Sequence, residues 1–310
     1  MRFVIAVGAA LLLSGCIIGD FGTSERYQAD FHYTYDLQPG ARVNVETFNG
    51  AIEITGWDQD KVEINGTKNA STQDGLNDIR IDINHAPGSI DIRTVKPSAR
   101  MGGFGARYTI HVPRTALLDR ITSSNGGIRV NGIQSAAHLR TSNGSIRVEN
   151  VAGDVEARTS NSAIELDTVK GNVTMKTSNG RIHAENISGN CDAETNNNSI
   201  SVRLDNSPDA PVRLTTSNGS IDLTMTKQPK NDIRAETRNS SITLHLPANV
   251  AARVTADTSN SSISSDFDVT AQLRGEGSKN HLDGMLGSGG PSISLNTSNG
   301  HIRIVKGNAD

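Results

Sequence analysis

The sequence predicts an all-β fold: a single-chain, parallel β-helix-like solenoid with 18–21 residues per coil and a right-handed winding. Three observations carry this. One short phrase recurs at nearly constant intervals, the mark of a repeat architecture. Apolar residues hold fixed positions inside each interval, in pairs of period two. Helical periodicity is absent, β-branched residues dominate, and Gly or Asn punctuates every few positions.

The phrase is TSNGSIRV at Thr141, returning as TSNGRIHA at Thr177, TSNGSIDL at Thr216 and TSNGHIRI at Thr297. Degenerate copies start at Thr159, Thr195, Thr237 and Thr258. The Asn of each copy serves as marker. Asn125, Asn143, Asn161, Asn179 and Asn197 follow one another at i+18, and Asn218, Asn239 and Asn260 at i+21. Asn299 follows Asn260 at i+39, the sum of one short and one long step. An earlier, weaker copy is TFNGAIEI with Asn49, and HAPGSIDI at His85 resembles another without the Asn.

Within the unit that begins at Asn143 the apolar positions are Ile146, Val148, Val151, Val155 and Ala157. The next units repeat them as Ile164, Leu166, Val169, Val173 and Met175, then Ile182, Ala184, Ile187, Cys191 and Ala193. The two period-two pairs predict two short strands per unit, each burying one face, with a turn at Val151–Gly153 between them. Two architectures can use such a unit. In an antiparallel meander, Asn-Gly makes type I′ hairpin turns. In a solenoid, equivalent residues stack about 4.8 Å apart. Identity of the whole unit favours the solenoid, because like residues meet only when coils stack in parallel register, and Asn ladders stabilise such stacks. On this reading the Asn bends the backbone at a corner, tolerates the left-handed conformation and bonds its neighbours along the stack, and the following Gly supplies φ freedom. Cys191 takes the slot of Val155 and Val173, so it is expected to be a small buried hydrophobe rather than a reactive thiol.

The chain opens with MRFVIAVGAALLLSGC: a positive Arg2, an unbroken apolar run from Phe3 to Leu13, small Ser14 and Gly15, then Cys16. The run is shorter than the roughly 20 apolar residues a membrane helix needs, and it matches a secretory signal. Leu13-Ser14-Gly15-Cys16 resembles the bacterial lipobox, which implies acylation of Cys16 and a firm membrane anchor. Ile18, two positions on, favours the outer membrane by analogy with diderm sorting. In such a lipoprotein the formal glycosylation sequons at Asn143, Asn218, Asn239 and Asn260 stay bare. The expected organisation is a signal peptide at 1–16, a tether at 17–30, an irregular N-terminal β part and cap at 31–120, and regular repeats at 121–306 with an insertion at 266–290.

Composition narrows the function. Net charge is −3, with signs interspersed, so no nucleic-acid footprint is present. Apolar content is 35% with only 4% aromatic, which suits a narrow core of Val, Ile and Ala. The eight His are scattered, and no metal-ligand spacing, phosphate loop or catalytic triad pattern appears, so no cofactor is expected. Parallel β-helices include polysaccharide lyases and hydrolases, but the clustered carboxylates these need are not evident. Left-handed hexapeptide acyltransferases also use coils of this length, yet their rule of an aliphatic residue every six positions does not fit apolar offsets of 3, 5, 8, 12 and 14 from the Asn. One outward column runs Arg129, Arg147, Glu165, His183, Ser201, Asp222, Thr243, Ser264, and another Arg140, Arg158, Lys176, Glu194. Arg140, Arg158 and Lys176 beside Arg129 and Arg147 form the candidate anionic-ligand patch; the competing reading is an ordinary solvated β face.

Several pieces resemble the DUF4097 family of bacterial β-strand-repeat proteins, which carries an adhesin label. They are Val43–Val45 with Asn49–Ile54 and Gly56-Trp57-Asp58, the strand Tyr108–Pro113, and Gly289–Ile293 followed by Asn299–Ile302. The resemblance spans Phe31 to Lys306. It implies the fold and no catalytic residues; some relatives are linked to envelope-stress responses. The expected function is therefore a lipid-anchored, non-catalytic scaffold or adhesin-like surface of the cell envelope, with an envelope polymer or protein as partner. An envelope-stress or anionic-ligand sensor, and a carbohydrate-active enzyme, are the alternatives.

Overall fold

A computed structural model of the chain describes residues 27–96, 103–204, 210–271 and 279–307. The signal segment with Cys16, and most of the tether, lie outside the described residues. Two sheets of 13 and 14 strands enclose one continuous hydrophobic core. Each regular rung of the stack is a strand of the second sheet, a corner formed by Thr-Ser-Asn-Gly or one of its degenerate copies, and a strand of the first sheet. The Asn161 rung, for example, joins Val155–Arg158 to Ile164–Val169. Along the stack the strands are parallel and like positions pair: Ile146 lies between Ile128 and Ile164, and Val155 between Ala137 and Val173. The two strands of one repeat unit belong to different sheets, which excludes the hairpin meander.

Every inward position of the regular rungs is filled by a buried aliphatic residue, with Cys191 and Met175 among them. Large and small residues are balanced rung by rung. The Asn161 rung buries Val155, Ala157, Ile164 and Leu166, and the Asn179 rung Val173, Met175, Ile182 and Ala184. Ala184 thus sits between Leu166 and Val202 in one column, while Met175 sits between Ala157 and Ala193 in the other. This keeps a narrow core at native density.

The corner chemistry differs in part from expectation. The ladder exists: Asn143 Nδ2 donates to Asn125 Oδ1 at 2.7 Å, Asn161 to Asn143 at 2.7 Å, Asn179 to Asn161 at 2.8 Å and Asn197 to Asn179 at 2.7 Å. None of the ladder asparagines is left-handed, and of the glycines that follow them only Gly50, after Asn49, has a positive φ, at 131°. Gly144 is needed for close approach, since a Cβ there would lie 2.0 Å from the carbonyl oxygen of Gly126 one rung below. The left-handed residues stand seven positions after the marker, at Gly132 (φ 74°), Asn150 (φ 55°), Thr168 (φ 57°) and Asn186 (φ 55°). There they kink the first-sheet strand so that residues three apart, such as Val148 and Val151, both point inward. In the longer coils that position is an ordinary inward residue of an unkinked strand: Leu204, Met225 and Leu246 are all buried. The change of period is therefore a change of corner: the kink shortens the path between sheets, and without it a longer loop is required.

A buried Thr column supports the same corners. Thr141, Thr159 and Thr195 donate to the carbonyls of Gly126, Gly144 and Gly180 in the preceding rung, each at 2.9 Å. Where the corner holds Gly, the Thr hydroxyl also accepts that glycine's amide, from Gly144 to Thr141 at 3.3 Å and from Gly180 to Thr177 at 3.2 Å. Every hydroxyl of this column thus has a partner, and those at the Gly corners have two, as buried polar groups require.

The ends of the stack do not follow chain order. At the N-terminal end the strands Ser89–Val95 and Gly105–Pro113 lie outside Arg42–Thr47 and Ile52–Trp57, and antiparallel strands Tyr27–Asp36, Lys61–Ala70 and Arg80–Ala86 cover them. At the other end the C-terminal strands Ser292–Thr297 and Ile302–Gly307 occupy the rung directly beside Asn239, and the Asn260 rung lies outside them. The double step from Asn260 to Asn299 does not, then, place Asn299 two rungs beyond Asn260. The antiparallel strand His281–Leu286 already covers the outer edge of Ala252–Thr258, and the last coil fits inside this cap instead of adding an open edge outside it. One short helix, Gln73–Asp78, has no counterpart in the sequence pattern. It is too short to show helical periodicity; Thr72 caps it by accepting from Gly75 N at 3.0 Å, and Leu76, Ile79, Ala70 and Phe104 bury its inner side.

Candidate functional site

Outward side chains are organised as columns, one residue per rung. Arg140, Arg158 and Lys176 are adjacent Cα partners on the second sheet, followed by Glu194. Arg129 and Arg147 are adjacent on the first sheet, between Glu53 and Glu165. The two sheets face each other across the core, so these groups point away from opposite faces. The five cations expected to form one patch are two separate features.

The first-sheet pair is compensated. Arg147 Nε donates to Glu149 Oε1 at 2.5 Å, and its Nη1 lies 3.4 Å from Glu165 Oε2. Arg129 Nη1 lies 3.4 Å from Glu53 Oε1. The hydrogen bond to Glu149 pushes the Arg147 pKa further up, with Glu165 and Asp167 adding to it, so its charge is fixed. Arg181 also reaches Glu165, at 2.6 Å. A shallow depression of about 360 Å³ runs over this surface past Arg107, Arg129, Arg147 and Glu165. Three guanidiniums, of Arg107, Arg129 and Arg147, and two carboxylates, of Glu53 and Glu165, line it, with Glu53 and Glu165 flanking the Arg129–Arg147 pair.

The second-sheet ladder is different. Arg158 pairs with Glu156 of its own strand at 2.5 Å, and Lys176 with Glu194 at 2.7 Å. Arg140 has no carboxylate partner among the described residues. Strands rise about 4.8 Å per rung, so the three cations span roughly 10 Å, about one Debye length at 0.1 M salt. A depression of about 250 Å³ borders them, lined also by the corner residues Ser160, Ser178 and Asn196. Cations and hydroxyls on one rim form a surface that suits an extended anion. Sequence reasoning named these cations but missed the hydroxyls, which belong to the corner phrase and read as structural.

Other residues with chemical potential are structural here. Cys191 is fully buried, and burial pushes its thiol up to about 12. Tyr108 is buried at the N-terminal end with its hydroxyl 2.5 Å from Thr94 Oγ1, and burial raises it to about 12 as well. Trp57 stacks on His111 with ring centroids 5.2 Å apart and donates to the carbonyl of Lys61 at 2.8 Å. Among the described residues, no helix is long and apolar enough to cross a membrane.

The family model described as Toastrack DUF4097 matches residues 41–305. No curated protein matches the chain. Similar solved structures include a "putative cell adhesion protein" from Clostridium sporogenes, 11% identical, with 90% of this chain and 100% of that chain covered and a TM-score of 0.24. A "putative adhesin" from Bacteroides fragilis is also 11% identical, with 89% and 97% covered and a TM-score of 0.42. No residue role is carried over from either.

Proposed function

We propose that this chain, which belongs to the Toastrack DUF4097 family, is a lipid-anchored protein of the bacterial cell envelope that works as a non-catalytic scaffold and binding surface. The observation that carries this reading is the rigid stack itself, with like outward positions repeated on successive rungs. A partner with its own repeat can make many weak contacts along such columns, and their sum binds without any deep pocket. Acylated Cys16 supplies the anchor, and sorting by Ile18 directs it to the outer membrane. The test is fractionation of cells carrying Cys16→Ala, with a pull-down from the envelope using the acylated protein. The expected result is loss of acyl labelling and release of the variant into the soluble fraction; a variant that stays membrane-bound refutes the anchor.

A second reading is supported by the Arg140–Arg158–Lys176 ladder: the partner is an anionic envelope polymer, sensed or held along the second sheet. An uncompensated cation beside two paired ones favours it. Neutralising the ladder should then abolish binding to polyanions, and unchanged binding would sink the idea.

A further inference from the structure

Asn-Gly is the dipeptide in which asparagine loses its side-chain amide most readily, because no Cβ keeps the glycine nitrogen from reaching the Asn Cγ. The chain holds eight such pairs. In five ladder corners the glycine amide is held by the hydroxyl three positions before it. Gly126 N donates to Ser123 at 2.9 Å, Gly144 N to Thr141 at 3.3 Å, Gly180 N to Thr177 at 3.2 Å, Gly219 N to Thr216 at 3.3 Å and Gly300 N to Thr297 at 3.2 Å. These hydroxyls are fixed as acceptors, since each gives its own hydrogen to a carbonyl of an adjacent rung. An amide engaged in this way is shielded from solvent base, and its nitrogen is kept from swinging toward Cγ. Two pairs outside the ladder are restrained by backbone instead. Gly132 N donates to the Glu149 carbonyl at 3.1 Å, and Gly66 lies in the strand Lys61–Ala70, paired on both sides.

The eighth pair, Asn49-Gly50, stands at the foot of the ladder and is built differently. Thr47 takes the corner position, but its hydroxyl lies 3.5 Å from the carbonyls of Asn49 and Ala106 and accepts from Thr94 Oγ1 at 3.3 Å. Gly50 has φ 131°, a conformation that the glycines of the other five corners do not share. Its amide meets no acceptor among the described residues. The ladder is also polar. Each higher asparagine donates through Nδ2 to the Oδ1 below it, as Asn143 does to Asn125. Asn49 accepts from Asn125 and donates only to the Phe104 carbonyl, at 2.8 Å. An aspartate at position 49 would still accept from Asn125 and would lose one bond. An aspartate at position 143 would set its carboxylate against Asn125 Oδ1, acceptor against acceptor, and break the ladder.

We propose that Asn49 is the deamidation site of this ladder, and that the corner hydroxyls guard the asparagines above it. Hydroxide removes the Gly50 amide proton, and the nitrogen attacks Asn49 Cγ to form a succinimide. The Cγ–Nδ2 bond breaks, and ammonia leaves with a proton taken from water. Water then opens the ring at either carbonyl, giving aspartate or isoaspartate. The purified protein is aged at mildly alkaline pH, and each Asn-Gly peptide is followed by mass spectrometry, with isoaspartate labelled by an isoaspartyl methyltransferase. Asn49 should convert several-fold faster than Asn125, Asn143, Asn179, Asn218 and Asn299. Thr141→Val should raise conversion at Asn143 several-fold and leave the other corners unchanged, whereas Thr141→Ser should keep Asn143 slow. Conversion of Asn49 no faster than that of Asn143 in the parent protein overturns the site, whether or not the variants fold. A Thr141→Val protein with the parent's circular dichroism in which Asn143 stays slow overturns the guard, as does equal acceleration at Asn125, which would mean that the corners had simply loosened.

Discussion

Replacing Thr168 with Asn should stabilise the protein. Thr168 holds φ 57° in the column that Gly132, Asn150 and Asn186 also occupy. A non-glycine residue in that region costs roughly 1–2 kcal/mol, with Asn the least penalised because its short side chain bonds locally. A β-branched side chain is the worst suited. Against this stands one exposed hydrogen bond, Thr168 Oγ1 to Asp167 Oδ1 at 2.9 Å, worth about 0.5 kcal/mol. Asn186 already shows what Asn gains here, since its Nδ2 reaches Asp167 Oδ1 at 3.2 Å, one rung below. The net expectation is a gain of about 0.5–1 kcal/mol for Thr168→Asn. Gly at the same place should be nearly neutral, because relief in the folded state is offset by greater freedom of the unfolded chain. The converse change, Asn150→Val, should cost about 1–2 kcal/mol. The assay is urea unfolding followed by circular dichroism, reading the midpoint at constant slope. A lower midpoint for Thr168→Asn, or an unchanged one for Asn150→Val, would refute the assignment of the kink to this column.

The remaining predictions concern the core. Ala184→Leu should destabilise by about 1–3 kcal/mol through overpacking, and adding Met175→Ala should recover part of the loss, because it restores the volume of the Asn179 rung; thermal unfolding of the single and double variants checks this. Cys191 and Tyr108 both have folded-state pKa values raised to about 12, from ordinary values of 9.0 and 10.0. The folded state therefore keeps protons the unfolded chain would lose, so their contribution is intact below pH 9 and is lost as pH rises toward 12. Unfolding midpoints should fall steeply across that window, and less so in Tyr108→Phe or Cys191→Val.

The regular rungs were legible because each reports its fold in two ways at once, by an unchanging corner phrase and by fixed apolar offsets. Two strands per unit, parallel stacking and the burial of Cys191 followed from these alone. The ends were less legible. TSNGHIRI reads the same whether its coil lies inside or outside the Asn260 coil, so sequence spacing cannot order rungs once a cap intervenes. The left-handed column was available in principle, since Gly132, Asn150 and Asn186 are the residues such a position prefers, but Thr168 broke the pattern. The corner Thr repeats in the copies from Asn143 to Asn299, with Ser123 in its place before Asn125, and its burial could have been inferred from that. The candidate patch divides in two for a geometric reason: Arg147 and Arg158 are close in sequence, but the corner at Val151–Gly153 sends their strands to different sheets.

On this account binding belongs to one outward face, while the repeated corner residues only build the stack. The most direct measurement is co-sedimentation of the Cys16→Ala protein with envelope fragments at low and high salt. Three variants are compared: Arg140→Gln/Arg158→Gln/Lys176→Gln on the second sheet, Arg129→Gln/Arg147→Gln on the first, and Asn161→Ala in the ladder. The second-sheet variant should lose binding and its salt dependence, while the first-sheet and ladder variants bind as the parent does. Equal loss from both faces, or loss confined to the ladder variant while it remains folded, would contradict the account.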